Sequence, residues 1–357
     1  MPSSRGRTPG AEDPQEARRR LQAEVDRQEQ DQALLEQGRL PLLAQQRLAE
    51  IGTAGPDGLA FTSDLAADEA GLLRRHGCQP ICLVTGSAMY HVGYASASAW
   101  NDCEVAQLSQ AYNEATRLAV SRLQMEATAA RADGVVGVRY AIVRHEWADR
   151  TVEVQLIGTA VRGPSAQAPG ANGPAPTGPA RVGQSAPLRG SAPARAAATQ
   201  APWLCDLSGQ EWYALWRAGY EPAALAYGHC TWFILTTLQD EWNETSYANN
   251  ELQHFSLALG QCRTRAAMHL KAIAREAGAL GVVGVHMSRR LDEVRLTGSD
   301  ENPAYEREHH NLVLSMIGTA IRVRPGAPTH VPATQLVLSL RSGRLEAGST
   351  KAEAAFG

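Results

Sequence analysis

The chain has 357 residues, 44% of them hydrophobic and 20% charged, with a formal net charge of −3. That length is enough for two domains with cores of their own, and the near-neutral balance argues against a strongly basic nucleic-acid binder. No run reaches the roughly 18–20 apolar residues of a membrane-spanning helix. The N-terminal MPSSRGRTPGAEDPQEARRR has no apolar stretch behind its positive charges, so no secretory signal is expected and the expected location is the cytoplasm. Six scattered cysteines (Cys78, Cys82, Cys103, Cys205, Cys230 and Cys262) include no CxxC pair, which makes free thiols the expectation.

Residues 1–60 form a charged N-terminal segment, helical in composition from 15 to 52. EARRRLQAEVDRQEQDQALLEQG has no sustained heptad and reads as a solvated helix, with a coiled coil as the alternative. LPLLAQQRLAEIG reads as a short amphipathic helix delivered to the domain that follows.

From residue 61 the chain repeats itself. Residues 61–92 align with 203–234 at a shift of 142, and nine of 32 positions agree. They are Asp64/Asp206, Leu65/Leu207, Glu69/Glu211, Leu73/Leu215, Arg75/Arg217, Gly77/Gly219, Pro80/Pro222, Leu83/Leu225 and Gly86/Gly228. Chance would give roughly two or three. Each copy opens with a short amphipathic helix, Leu65–Arg75 or Leu207–Ala218. Ser63 or Asp64 is the candidate cap of the first, and Asp206 or Ser208 of the second. Gly77 and Gly219 can end these helices, and Pro80 or Pro222 introduces a strand.

A long helix follows, Glu104–Ala132 aligned with Glu251–Ala279 at a shift of 147. Val105, Leu108, Tyr112, Ala115, Ala119, Leu123, Ala127 and Ala130 step by three and four along one stripe. Leu252, Phe255, Leu259, Cys262, Ala266, Leu270, Ile273 and Ala277 do the same. GVVGV then marks the passage from helix to strand in both copies, with Gly134 and Gly281 placed as helix caps. Gly137 and Gly284 fall inside the strand, where a bulge or, preferably, a closely approaching backbone would need them. A hairpin closes each copy. The first pairs Val135–Trp147 with Thr151–Arg162 across Ala148–Arg150. The second ends on Asn311–Arg324 after a polar insertion, RLDEVRLTGSDENPAYEREHH, read as a long loop.

The boundaries that follow are 61–162 and 202–324 for the two domains. Residues 163–201, rich in Pro, Gly and Ala, read as a disordered linker. Residues 325–357 read as a flexible tail, in which TQLVLSLRSG is either a lone strand or the stub of a third copy.

The long helix, then DGVVGVRY or LGVVGVHM, then a strand ending IGTAV or IGTAI, together with VTGSA after Pro80, resembles the YbjQ-type family, also called the heavy-metal-binding domain. The resemblance covers both copies and implies an α+β fold of two tandem β-α-β-β, dodecin-like domains, each preceded by a short helix. It also implies a pentamer-like homo-oligomeric ring, in which the small residues of Gly158–Ala160 and Gly318–Ala320 let neighbouring backbones approach. A sheet of three strands with one helix is a thin core by itself, which agrees with association.

The family label invites a search for metal ligands. Cys78 and Cys82 would lie about 13 Å apart along a strand, His76 adds only one more ligand, and the second copy has Ala218, Tyr220 and Ala224 in those places. His309 and His310 stand beside Glu306 and Glu308, but neighbours on a strand point to opposite faces. His145 and Glu146 make a weaker pair. The metal-binding residues therefore stay unknown, and a heavy metal ion is implied by the family label alone. The recurring acids Asp64/Asp206, Glu69/Glu211 and Glu104/Glu251 suit capping and ion pairing better than acid–base work. There is no GxSxG, P-loop or GxGxxG turn, and GVVG matches the nucleic-acid GXXG loop only in letters. Trp203, Trp212, Trp216 and Trp232, with Tyr213 and Tyr220, form either a core or interface cluster or a partner surface. The expectation is a non-enzymatic oligomeric assembly or binding protein of two YbjQ-like domains with an unknown protein partner. It has no catalytic or cofactor residues, no nucleic-acid partner and no membrane span. The alternative is a heavy-metal-binding protein.

Overall fold

A computed structural model describes residues 14–51, 62–93, 101–144, 151–163, 201–237, 240, 243, 249–295, 308–326, 337–338 and 345–346. All but Gly163 and Ala201 of the expected linker lie outside these residues, as does the expected turn at Ala148–Arg150. No helix among the described residues is long and apolar enough to cross a membrane.

The architecture is α+β, with two four-stranded sheets and their helices. Two helices lead in, α1 (Pro14–Glu36) and α2 (Leu42–Ile51). α1 exposes most of its length, as its charge pattern requires, and Leu34 and Leu40 bury at the turn where Asp31 accepts from the Leu42 N–H. α2 lays Leu48 on the first core. The first half continues with α3 (Ala67–Arg75), β1 (Gln79–His91), β2 (Cys103–Glu104), α4 (Ala106–Ala129), β3 (Gly134–Arg144) and β4 (Thr151–Arg162). The second has β5 (Trp203–Leu204), α5 (Gly209–Arg217), β6 (Tyr220–Ile234), α6 (Gln253–Glu276), β7 (Gly281–Arg295) and β8 (Glu308–Val323). β9 (Val337–Leu338) and β10 (Leu345–Glu346) pair with each other, and the rest of the tail after Gly326 lies outside the described residues.

In each half the closing strand lies centrally. β4 pairs antiparallel with β1 and β3, and β8 pairs antiparallel with β6 and β7. The long helix covers one face. Ala115, Ala119, Leu123 and Ala127 of α4 are buried against β1 and β4, and Cys262, Ala266, Leu270 and Ala274 of α6 against β6 and β8. The alanines matter because the helix backbone rides directly on the strand. A methyl placed on Gly86 would strike the Ala119 carbonyl and lie 2.6 Å from the Leu123 nitrogen. On Gly228 it would strike the Ala266 carbonyl and lie 2.8 Å from the Leu270 nitrogen.

Several local expectations are corrected. The long helices turn left-handed at Arg131 (φ 54°) and Gly278 (φ 64°), so Gly134 and Gly281 are the first strand residues, not caps. Gly137 (φ 67°) and Gly284 (φ 65°) sit at β-bulges, where the register slips between Val136 and Arg139 and between Val283 and His286. Bulge and close backbone approach coincide at Gly137, whose N–H donates to Leu207 O at 3.0 Å. The polar insertion is only partly loop, since β7 runs on to Arg295 and β8 starts at Glu308. The room made by Gly158 and Gly318 is filled from the same chain, by Val135 and Val138 and by Val282 and Val285.

Candidate functional site at the junction of the two halves

The halves are joined by exchange. β5, from the second half, adds a parallel strand to the edge of β3, and β2, from the first, pairs with Trp232–Phe233 of β6. α4 is buried on two sides, because its outer side caps the edge of β6. Ser109 Oγ accepts from the Thr231 N–H at 2.9 Å, and Asn113 bonds the backbone of His229 through both its side-chain amide oxygen and nitrogen.

His229 is the centre of this contact and is fully buried. Its Nε2 lies 3.0 Å from Thr116 Oγ1 and its Nδ1 2.9 Å from Ser315 Oγ. The Thr116 hydroxyl already donates to the Tyr112 carbonyl at 2.8 Å, so it accepts from His229, which assigns the ring proton to Nε2. Ser315 then donates to Nδ1. Tyr112, Tyr140 and Tyr227 surround the ring at centroid distances of 5.7–6.2 Å. Burial, with a smaller contribution from His269, drives the imidazole pKa down to about 3, so the ring is neutral. Ser87 occupies the matching place in the first half, so this histidine belongs to one copy only.

Beside this node an open cleft of about 310 Å³ separates β3 from β7, lined among others by Tyr140, Asp206, His286 and Ser315. Asp206 does not cap α5. Its N–H donates to Thr319 Oγ1 at 3.0 Å, and the Thr319 hydroxyl donates back to its carboxylate. The Asp64 N–H likewise meets Thr159 Oγ1 at 3.0 Å, which gives the threonine of each IGTA a purpose. Arg139 pairs with Asp64 at 2.9 Å, whereas His286 stands in the place of Arg139 in the second half. Asp206 Oδ2 is buried without a hydrogen-bond partner, and burial raises this carboxyl's pKa. The helix caps fall to Glu69, which accepts from the Ala66 N–H, and to Ser208 with Glu211, a reciprocal capping box.

The other candidates disperse. His76 stacks on Tyr213 at 3.9 Å, and Cys78 is buried with Leu73, Cys205 and Trp212. His309 is fully buried on β8, not in a solvated loop. Its Nδ1 accepts from the Thr236 N–H at 3.1 Å, while His310 lies against Phe255. His145, Glu146 and Glu306 lie outside the described residues. Glu104 approaches Arg265 at 3.6 Å, and Glu251 is exposed. Trp203, Trp212 and Trp216 stack at 6.2 and 5.5 Å in the core shared by the halves, with Arg324 over Trp216. Besides the His229 node, two features escaped sequence reasoning. The first is the Cys262 thiol donating to the Cys230 carbonyl at 3.2 Å; the second is His254 held between Asp102 and Asp240 on different ring nitrogens.

Burial lifts the Cys78 and Cys205 thiols to about 12, and the contact with Cys230 and burial push Cys262 higher still. No thiolate nucleophile results from these groups at neutral pH. Among the described residues no group of three or more His, Cys, Asp or Glu side chains is placed to hold a metal ion.

No family profile matches the chain, and no solved structure matches it. Over 233 residues it is 32% identical to the encapsulin nanocompartment protein Rv1762c of Mycobacterium tuberculosis, covering 64% of this chain and 78% of that protein. This finding overturns the resemblance to the YbjQ-type, heavy-metal-binding family. With it go the description as an assembly of YbjQ-like domains and the heavy-metal-binding alternative. The motifs that carried the resemblance have local causes. GVVGV makes a bulge, and IGTA provides a close approach and a threonine bridge.

Proposed function

Because this chain belongs to the same family as the encapsulin nanocompartment protein of Mycobacterium tuberculosis, we propose that it is a non-enzymatic, oligomeric component of an encapsulin nanocompartment, working in the cytoplasm. The 32% identity over 233 residues carries this reading. The neutral, enclosed His229 and the raised thiols support a structural role for the junction. We read the halves, 61–162 and 202–324, as two β-α-β-β copies of dodecin-like type, each with a short helix before it. The segment 1–60, the linker 163–201 and the tail 325–357 lie outside them. Copies of the chain associate into a ring, pentamer-like in the simplest case.

The test is co-expression with an encapsulin shell protein of the same organism. The expected result is recovery of the chain in the particle fraction of a density gradient, with particles visible by negative-stain electron microscopy. Recovery of the chain only in the slow fraction, beside intact shells, would refute the reading.

A further inference from the structure

The exchange between the halves leaves matching surfaces uncovered. The first half's β3 edge and outer α4 face are covered by the second half, but their counterparts on β7 and α6 are not covered by any of the described residues. A methyl on Gly134 would lie 2.6 Å from Cε3 of the Trp203 indole; on Gly281 it would meet nothing within 4 Å among the described residues. Val138 is 4% exposed and Val285, its counterpart, 47%. Ser109 and Thr116 on α4 are buried, whereas Ser256 and Arg263 on α6 are exposed. β7 is the edge of its sheet and presents Leu280, Val285 and Met287 at its open end.

The bulge is the decisive observation. In β3 it turns two N–H groups outward, and both are used. Gly137 N donates to Leu207 O at 3.0 Å and Val138 N to Cys205 O at 2.9 Å, while Cys205 N returns a bond to Val135 O at 2.9 Å. β7 carries the same bulge with the same left-handed glycine, Gly284 (φ 65°), at an edge with no strand beside it among the described residues. The complementary piece is also preformed. Asp64 N is bound to Thr159 Oγ1 as Asp206 N is to Thr319 Oγ1, both at 3.0 Å, which holds Thr62–Asp64 in the place that Leu204–Asp206 takes in the second half.

We infer that β7 of one copy receives residues Thr62–Leu65 of a second copy, so that chains join head to tail. The repeat gives the bonds: Gly284 N to Leu65 O, Val285 N to Ser63 O, and Ser63 N to Val282 O. Such a heterologous contact repeats from copy to copy and closes into a ring or runs on, according to the rotation per step. The inference shares with the proposed function only the association of copies. Self-association without recovery in shells would leave it standing, and recovery in shells as a monomer would not.

The experiment uses the full chain, by sedimentation velocity from 0.5 to about 50 μM, a range that brackets ordinary self-association. Wild type is expected above the 38.3 kDa monomer mass. Val285→Lys combined with Met287→Lys is expected to return it to that mass while keeping the far-UV circular dichroism spectrum of the folded wild type, since both side chains are about half exposed. A second arm mixes Ser63→Cys chains with Val285→Cys chains under mild oxidation. A crosslinked dimer is expected in the mixture beyond that formed by either chain alone. A monomeric wild type throughout, a charged double variant that keeps the wild-type mass, or no extra crosslink in the mixture would each overturn the inference.

Discussion

Gly228→Ala tests the contact between strand and helix. The added carbon would lie 2.8 Å from the Leu270 nitrogen and would overlap the Ala266 carbonyl, where ordinary contact is 3.4–4 Å. Both sides of the clash are backbone, so no rotamer relieves it. α6 would have to lift by about 1 Å, loosening Ala226, Cys230, Ile234 and Leu314 beneath it. Overpacking of a filled core costs about 1–3 kcal/mol, and a rigid contact belongs at the upper end. At about 2–4 °C per kcal/mol for a fold of this size, the thermal midpoint should fall by roughly 6–12 °C. Gly71→Ala is the control. Nothing lies within 4 Å of that site in α3, and the change should be neutral or stabilise by up to about 1 kcal/mol. Calorimetry on the three proteins decides it. A Gly228→Ala midpoint within about 2 °C of wild type, or an equal loss from Gly71→Ala, would refute the packing argument.

Two further outcomes follow from the buried polar groups. His229 is neutral in the fold with its pKa near 3, against 6.5 when unfolded. Its contribution is therefore complete above pH 6.5 and is lost as pH falls, at about 1.4 kcal/mol per unit, or roughly 2.7 kcal/mol by pH 4.5. Urea midpoints between pH 4.5 and 7.5 should show this slope in wild type and lack it in His229→Gln. The opposite contribution of Asp206, whose raised pKa favours the fold at low pH, is common to both proteins and cancels. Thr319→Val removes the hydroxyl that joins IGTA to Asp206 and leaves the Asp206 N–H without its acceptor. It should cost about 1–3 kcal/mol by urea denaturation at pH 7, and a loss below about 0.5 kcal/mol would show that the bridge is dispensable.

The sequence by itself determined the long helices and carries the repeated motifs. A stripe such as Ala115, Ala119 and Leu123 is a local property of 3.6-residue periodicity, and its counterpart Cys262, Ala266 and Leu270 repeats it. It could not tell a capping glycine from a bulge glycine, because Gly134 and Gly137 differ only in what lies beside them. Nor could it separate a polar loop from an extended hairpin, since Glu308 and His309 pair with β7 only through register. Tertiary structure alone decided what joins the halves. His229 and Ser315 are far in sequence from each other and from Asn113 and Thr116, and the four have no counterparts of like chemistry in the other copy, so no pattern along the chain connects them. They meet because α4 packs against its own sheet on one side and caps the edge of the second sheet on the other. A polar group enclosed in that way must find its partners across the junction.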